Sequence, residues 1–413
     1  MKNYTFTVCK YLIILCVLLV PNITFSQDFN VQHLDRNVPR TGATSSITAV
    51  SSLNNAFVLN NNNRLAQAGR SDENSSTAPG RDVSGAVRLT ATNTVTYYRE
   101  GNSTNNNTKF NASVWEYTGS PGGANEFIVR GRYTITLNGG TNNVTQSLTG
   151  ISNANDCIPF ITGIINSASS AGSDSGSAIA YLENASTMRV QKGSNADNVT
   201  VYITLVEFTG SNWTILHGDS GSVNTDTGNI TLRTNANGSS GGTASVSDWS
   251  EAMIFTHHRG NMSDNGTDDA IADNWPVMSP GGNNQTVSWA FHSEHDARTN
   301  GNRQFVHVVN NPNIQVTRYT DTSNSSGETS INISSAGLGS TNEALIIGTS
   351  TSSGGGTAYG RGWRNYYFNS TTQAAHWAHR SGNTMAHEIQ IVNFNPSITY
   401  CPSNGNSTND EYI

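Results

Sequence analysis

Charge is what this chain has least of. Asp, Glu, Lys and Arg make up 12% of 413 residues, and lysine occurs only at Lys2, Lys10, Lys109 and Lys192. With a net charge of −7 and no basic stripe, the chain lacks the electrostatic footprint of a nucleic-acid binder. It also lacks a sustained helical period and the Ala/Glu/Lys/Leu-rich composition of a coiled coil or helical bundle. Cysteine is scarce: of four, Cys9 and Cys16 fall in the leading segment, leaving Cys157 and Cys401. So few in a long chain exclude a disulfide scaffold, and the core must come from packing. No apolar run approaches the roughly 20 residues that span a bilayer. Disorder is excluded by 7 Trp, 14 Tyr and 13 Phe. Asn (53), Ser (49), Thr (47) and Gly (39) dominate instead, a composition suited to strands joined by turns.

Residues 1–26 read as a secretory signal peptide. Lys2 and Lys10 form its basic start, residues 11–20 its apolar stretch, and Gln27 is a plausible mature start. A cleavage-site cysteine of the lipoprotein kind is missing, since Cys16 sits inside the apolar run. The expected location is therefore outside the cell or on its outer surface, with no membrane span.

Repetition sets the architecture. Four stretches open with a polar residue, a small residue and an apolar run: Asn55-Ala56-Phe57, Asp156-Cys157-Ile158, Glu251-Ala252-Met253 and Glu343-Ala344-Leu345. Each closes with a strand in which Trp115, Val206, Val309 and Val392 are equivalent. A Gly/Ser/Asp-rich loop, a short apolar-aromatic segment, a further strand and a glycine turn lie between. The closing strand alternates: Val199, Val201, Ile203 and Leu205 share one face, and Thr200, Tyr202 and Thr204 the other. The linkers around Asn138-Gly139-Gly140, Asp226-Thr227-Gly228 and Ser325-Ser326-Gly327 read as hairpins. The expected fold is all-β, with four tandem antiparallel β-sandwich (jelly-roll-like) repeats and negligible helix. The divisions are a signal peptide (1–26), an N-terminal leader (27–44) and repeats at 45–137, 144–218, 240–319 and 329–399. A final segment, 400–413, follows.

Val206-Glu207-Phe208-Thr209-Gly210 resembles repeated β-domains of bacterial surface proteins and phage tail-associated proteins. Tyr400-Cys401-Pro402-Ser403-Asn404-Gly405, followed by Asp410-Glu411-Tyr412-Ile413, resembles the opening of a GEVED domain, a β-sandwich module of proteins exported by the type IX route. The Glu-Val-Glu-Asp motif that names that family is absent. The resemblance implies a larger surface or secreted protein, a further domain beginning near residue 400, and no catalytic residues.

Chemistry is sparse. Most histidines lie from His217 onward, but His292 and His295, like His376 and His379, are three apart in strands and point to opposite faces. His257, His258 and His387 carry no ligand spacing either. Asp264-Asn265-Gly266-Thr267-Asp268-Asp269 offers oxygen ligands without the pattern of a helical calcium loop. Asp219-Ser220 with His217 nearby lacks an assembled nucleophile–base geometry. Trp363, Tyr366, Tyr367 and Trp377 fit either a sugar-stacking platform or a core. No catalytic, cofactor or metal residue is assigned, and calcium is left as the open option. The function expected is structural or adhesive display at the cell surface. Glycan binding, or an accessory role in a larger exported enzyme, is the alternative, with an extracellular glycan or surface partner.

Overall fold

A computed structural model describes residues 28–61, 70–71, 85–99, 108–166, 177–193, 198–260, 276–291, 302–323, 327–352, 365–378 and 385–396. The residues 1–26 and 400–413, with Cys401, lie outside these. Among the described residues every long element is a strand, and the helical turns are three-residue 3-10 pieces.

The strands recur in four sets of six. Copy one has β1 (Phe29–Val38), β2 (Ala43–Ser46), β3 (Ala56–Asn60), the short extra β4 (Arg70–Ser71), β5 (Gly85–Ala91), β6 (Thr94–Arg99) and β7 (Thr108–Tyr117). Copy two has β8 (Ile128–Leu137), β9 (Asn143–Ser147), β10 (Cys157–Asn166), β11 (Ala178–Asn184), β12 (Thr187–Lys192) and β13 (Val199–Glu207). Copy three has β14 (Thr214–Val223), β15 (Thr227–Thr231), β16 (Ala252–Arg259), β17 (Val277–Pro280), β18 (Thr286–Ala290) and β19 (Asn302–Asn310). Copy four has β20 (Gln315–Ser323), β21 (Gly327–Asn332), β22 (Ala344–Ser352), β23 (Asn365–Ser370), β24 (Gln373–Ala378) and β25 (Met385–Asn393).

Each copy is a sandwich of two antiparallel sheets. One holds the opening strand, the closing strand and the third strand, as in β20-β25-β22; the other holds the second, fifth and fourth, as in β21-β24-β23. The linkers read as hairpins are not hairpins. β8 pairs with β13 while β9 pairs with β12, so the turn at Asn138 carries the chain from one sheet to the other. Alternation explains this. Apolar residues on both arms need a core, and crossing between sheets lets both face it. Residues 29–38, within the N-terminal leader, form the opening strand of copy one, and β8 is hydrogen-bonded into the sheet of copy two.

The closing strands bury both faces. Val114, Leu205, Val308 and Ile391 enter four separate sandwich cores. Their neighbours Trp115, Val206, Val309 and Val392 enter one core shared by all four copies. Trp115 is fully buried there, against Phe29, Phe57, Phe127, Phe208, Trp213 and Phe394.

The sheets also join between copies. Ala86 and Gly85 of β5 pair with Gly163 and Ile164 of β10, and Ala178 of β11 pairs with His258 of β16. Gly163 permits the first contact, because a Cβ there would lie 2.2 Å from Ala86 Cα. Met278 N–H donates to Thr349 Oγ1 between copies three and four. Tyr366 N–H donates to the carbonyl of Asn61 between copies four and one. The fourth copy thus meets the first, and the tandem repeat closes into a ring.

Cys157 opens β10 at the position of Ala56, Ala252 and Ala344, and all four are fully buried. Its thiol is free, and burial pushes its pKa up. Cys157→Ala is expected to cost about 1 kcal/mol or less, and Cys157→Leu about 1–3 kcal/mol by overpacking. Denaturant titration measures both. Rapid labelling of the native thiol would contradict the shared small-residue position.

Candidate functional site in the polar layer of the ring

One layer beyond the shared apolar core, the opening strands carry His33, Arg132, His217 and Arg318, each opposite a closing-strand residue: Ser113, Thr204, His307 and Gln390. These four side chains perform one task. Each reaches the turn that precedes the third strand of the previous copy. Arg132 donates to the carbonyls of Leu53 and Ala56 at 2.7 and 2.8 Å. His217 Nε2 meets Asn155 O at 2.9 Å. Arg318 donates to the carbonyls of Trp249 and Ala252. His33 Nε2 meets Thr341 O at 2.9 Å, closing the circle across the whole chain. The chemistry alternates His, Arg, His, Arg around the ring.

A second repeated device sits beside it. Glu116, Glu207, Asn310 and Asn393 face Ala56, Cys157, Ala252 and Ala344 across the ladder. All four are buried. Glu207 accepts from the N–H groups of Ser152 and Asn153, Glu116 from that of Ser51. Asn310 and Asn393 instead donate to the carbonyls of Glu251 and of Ala336 and Gly337. In each copy a buried polar group thus satisfies backbone atoms of the preceding turn or loop, as buried polar atoms require.

Apart from His33 and His258, the described histidines divide between two places. His217, His257 and His307 meet at the seam between copies two and three. His217 Nδ1 lies 2.9 Å from His307 Nδ1, and the rings of His257 and His307 are 5.0 Å apart. Burial lowers the pKa values of His217 and His257 to about 4 and that of His307 well below its ordinary value. His376 and His387 stack at 4.2 Å inside copy four, with Asp321 on His376 Nε2 and the Tyr366 hydroxyl on His387 Nδ1. His292, His295 and His379 lie outside the described residues, as do Asp264 to Asp269 and Trp363. Among the described residues, no group of three His, Cys, Asp or Glu side chains is arranged to hold a metal ion.

The Asp219–Ser220–His217 neighbourhood is fully occupied otherwise. Asp219 holds Arg303 through both oxygens and accepts from Gly221 N–H. Ser220 donates to Gly221 O and accepts from Gln304 N–H. Tyr366 is a core residue of copy four, while Tyr367 is half-buried and donates to Glu328. A cavity of about 30 Å³ lies between the third strands of copies one, three and four, lined by Leu59, Phe255, Ile347, Asn61, Thr256 and Thr349. It has room for a water or two.

Glu388 sits in the next layer of the closing strand of copy four. Burial raises its pKa to about 7, with the Arg318 charge opposing. A carboxyl whose folded pKa is raised contributes stability below its unfolded value and loses it as pH climbs toward 7. Glu388→Gln is therefore expected to stabilise the protein at pH 8 by about 1–3 kcal/mol and to leave it nearly unchanged at pH 4. Unfolding free energies at the two pH values test this. Equal effects at both would contradict it.

Neither the opening-strand layer nor His307 stands out in the sequence. His307 is embedded in the apolar run of β19, and the alternating residues at the ring position share no side-chain type. Glu116, Glu207, Asn310 and Asn393 directly follow the aligned Trp115, Val206, Val309 and Val392, so that signal was present. No protein-family model matches this chain, and no curated protein matches it.

Proposed function

We propose that this is a secreted or outer-surface protein whose four-copy ring is a rigid module for display or adhesion. The observation that supports it most is the use of the polar layer. His33, Arg132, His217 and Arg318, the side chains around the ring best placed for chemistry, are committed to backbone groups of the neighbouring copy. That is the arrangement of a scaffold. The leading segment, with its basic start and short apolar stretch, supports export, and the resemblance of residues 400–413 to a GEVED opening supports a surface protein exported by the type IX route.

The test is surface proteolysis of intact cells that make the protein, combined with attachment of a deletion strain. The reading expects external protease to remove the protein from intact cells and the deletion strain to attach less well. Protection from protease until lysis, with residues 1–26 retained, would overturn it.

A second reading, glycan binding, is supported by one surface feature. Tyr98 and Tyr202 stack at 4.8 Å across the β5–β10 seam, half-exposed, with the Arg88 guanidinium 4.9 Å from the Tyr202 ring. Aromatic faces with a neighbouring cation suit sugar stacking. A glycan array with wild type and Tyr98→Ala separates this reading from display alone.

A further inference from the structure

The four seams of the ring are not equivalent, and the one between copies two and three is built on histidine. His217 of β14 bonds Asn155 O in the turn before β10, and His257 Nδ1 bonds Ala180 O of β11 at 3.1 Å. The main-chain ladder there is a single pair, Ala178 with His258.

The partners fix the protons. A carbonyl accepts, so His217 carries its proton on Nε2; His257 Nδ1 lies 3.1 Å from Ala180 O and 3.4 Å from Ala180 N, and the shorter contact, to the carbonyl, places its proton on Nδ1. The Nδ1 of His217 is then an acceptor, and His307 must donate to it from its own Nδ1. This leaves the Nε2 atoms of His257 and His307 bare and buried without a hydrogen bond, with the Ala180 backbone as the polar group beside His307. The set is consistent only while all three rings are neutral. A proton on His217 would set two N–H groups against each other. A proton on His257 or His307 would place an unpaired cation in the interior, which is costly.

Among the described residues, nothing charged is positioned to accept such a proton. Asp219 is held by Arg303, Asp156 takes the Asn153 amide, and Arg259 and Arg303 add positive charge. Tyr181, Glu183 and His258 complete the titratable groups of β11, β14, β16 and β19, and Glu183 is paired with Arg189. His258 is bonded to Gln304, and the Tyr181 ring stacks on Phe305. Among the described residues, no carboxylate is hydrogen-bonded to any of the three rings. The seam between copies four and one offers the contrast. Its only ring-position histidine, His33, bonds Ser113 Oγ through Nδ1 and Thr341 O through Nε2.

We propose that the seam between copies two and three is an acid-opened joint: protonation of His217, His257 and His307 parts β11 from β16 while the other seams stay closed. Opening uncovers the Tyr181–Phe305 stack, so acidification would present a new aromatic surface. The proposal concerns the seam alone and stands whether or not the ring serves adhesion.

Hydrogen exchange on the full chain at pH 7.5 and pH 5, corrected for the intrinsic pH dependence, tests it. A histidine held at about 4 when buried and near 6.5 when exposed favours the open form by roughly 30-fold per ring over that interval. Peptides covering β11 and β16 are expected to lose protection by at least this factor, with β3 and β7 unchanged. His257→Gln, whose amide can still donate to Ala180 O, is expected to reduce the acid response by about one such factor. If that variant does not fold, the wild-type pH series still decides the matter through the number of protons taken up on opening. Loss of protection in β3, β7, β11 and β16 at the same pH and rate would overturn the proposal. So would protection of the seam that does not change between pH 7.5 and pH 5.

Discussion

Trp115→Ala is expected to destabilise the whole chain by about 3–5 kcal/mol, the range for removing a large buried aromatic side chain. The effect should reach every copy, because Trp115 touches rings from all four. Phe29 and Phe57 belong to copy one, Phe127 and Phe208 flank the strands of copy two, Trp213 precedes copy three and Phe394 follows copy four. A cavity at this point removes packing from each contributor at once. Trp115→Phe is a useful companion. The indole N–H is buried without a hydrogen bond, so the smaller ring loses volume but also removes an unsatisfied donor, and its cost should stay near 1.5 kcal/mol or below. Probes placed in copies one and three should report the same denaturation midpoint for each variant. A loss of structure confined to copy one would contradict the shared core.

Arg132→Leu is the second large effect. The guanidinium is half-buried, its pKa lowered to about 10 chiefly by desolvation and further by the Arg88 charge. Its two donors satisfy Leu53 O and Ala56 O. Leucine fills part of the space but strands both carbonyls, at about 1–3 kcal/mol for each group left unsatisfied. The expected loss is about 2–5 kcal/mol. Arg318→Leu should act in the same direction at the seam between copies three and four, where Ala252 O loses the Arg318 donor and Trp249 O keeps only the N–H of Ala252. The two sites share no partner, so the double variant should lose the sum. A loss below about 0.5 kcal/mol in both single variants would show that the arginines are not what ties these copies together.

How much of this was legible in the sequence follows from which contacts repeat identically. The sandwich class and the equivalence of Ala56, Cys157, Ala252 and Ala344 could be read, because burial admits only a small side chain at that point in every copy. Alternation in β13 could be read for the same reason. Ring closure could not. It depends on His33, Arg132, His217 and Arg318, which do one job with two chemistries and therefore show no repeat. The opening strand was itself disguised. Residues 133–145 look like a hairpin, because a tight turn joining two alternating strands reads the same whether they pair with each other or cross to opposite sheets. The histidine seam was hidden because His307 interrupts an apolar strand and finds its partners ninety and fifty residues away, at His217 and His257.

Scanning calorimetry of the intact chain bears most directly on the closed ring. Four copies around one core should melt as a single cooperative unit, with the calorimetric enthalpy equal to the van't Hoff enthalpy. A chain truncated before Ile314, which removes copy four and opens the shared core, should then show no residual transition at the original temperature. Two or more separable transitions in the intact chain, or an unchanged melting temperature after truncation, would mean that the copies are independent beads rather than parts of one ring.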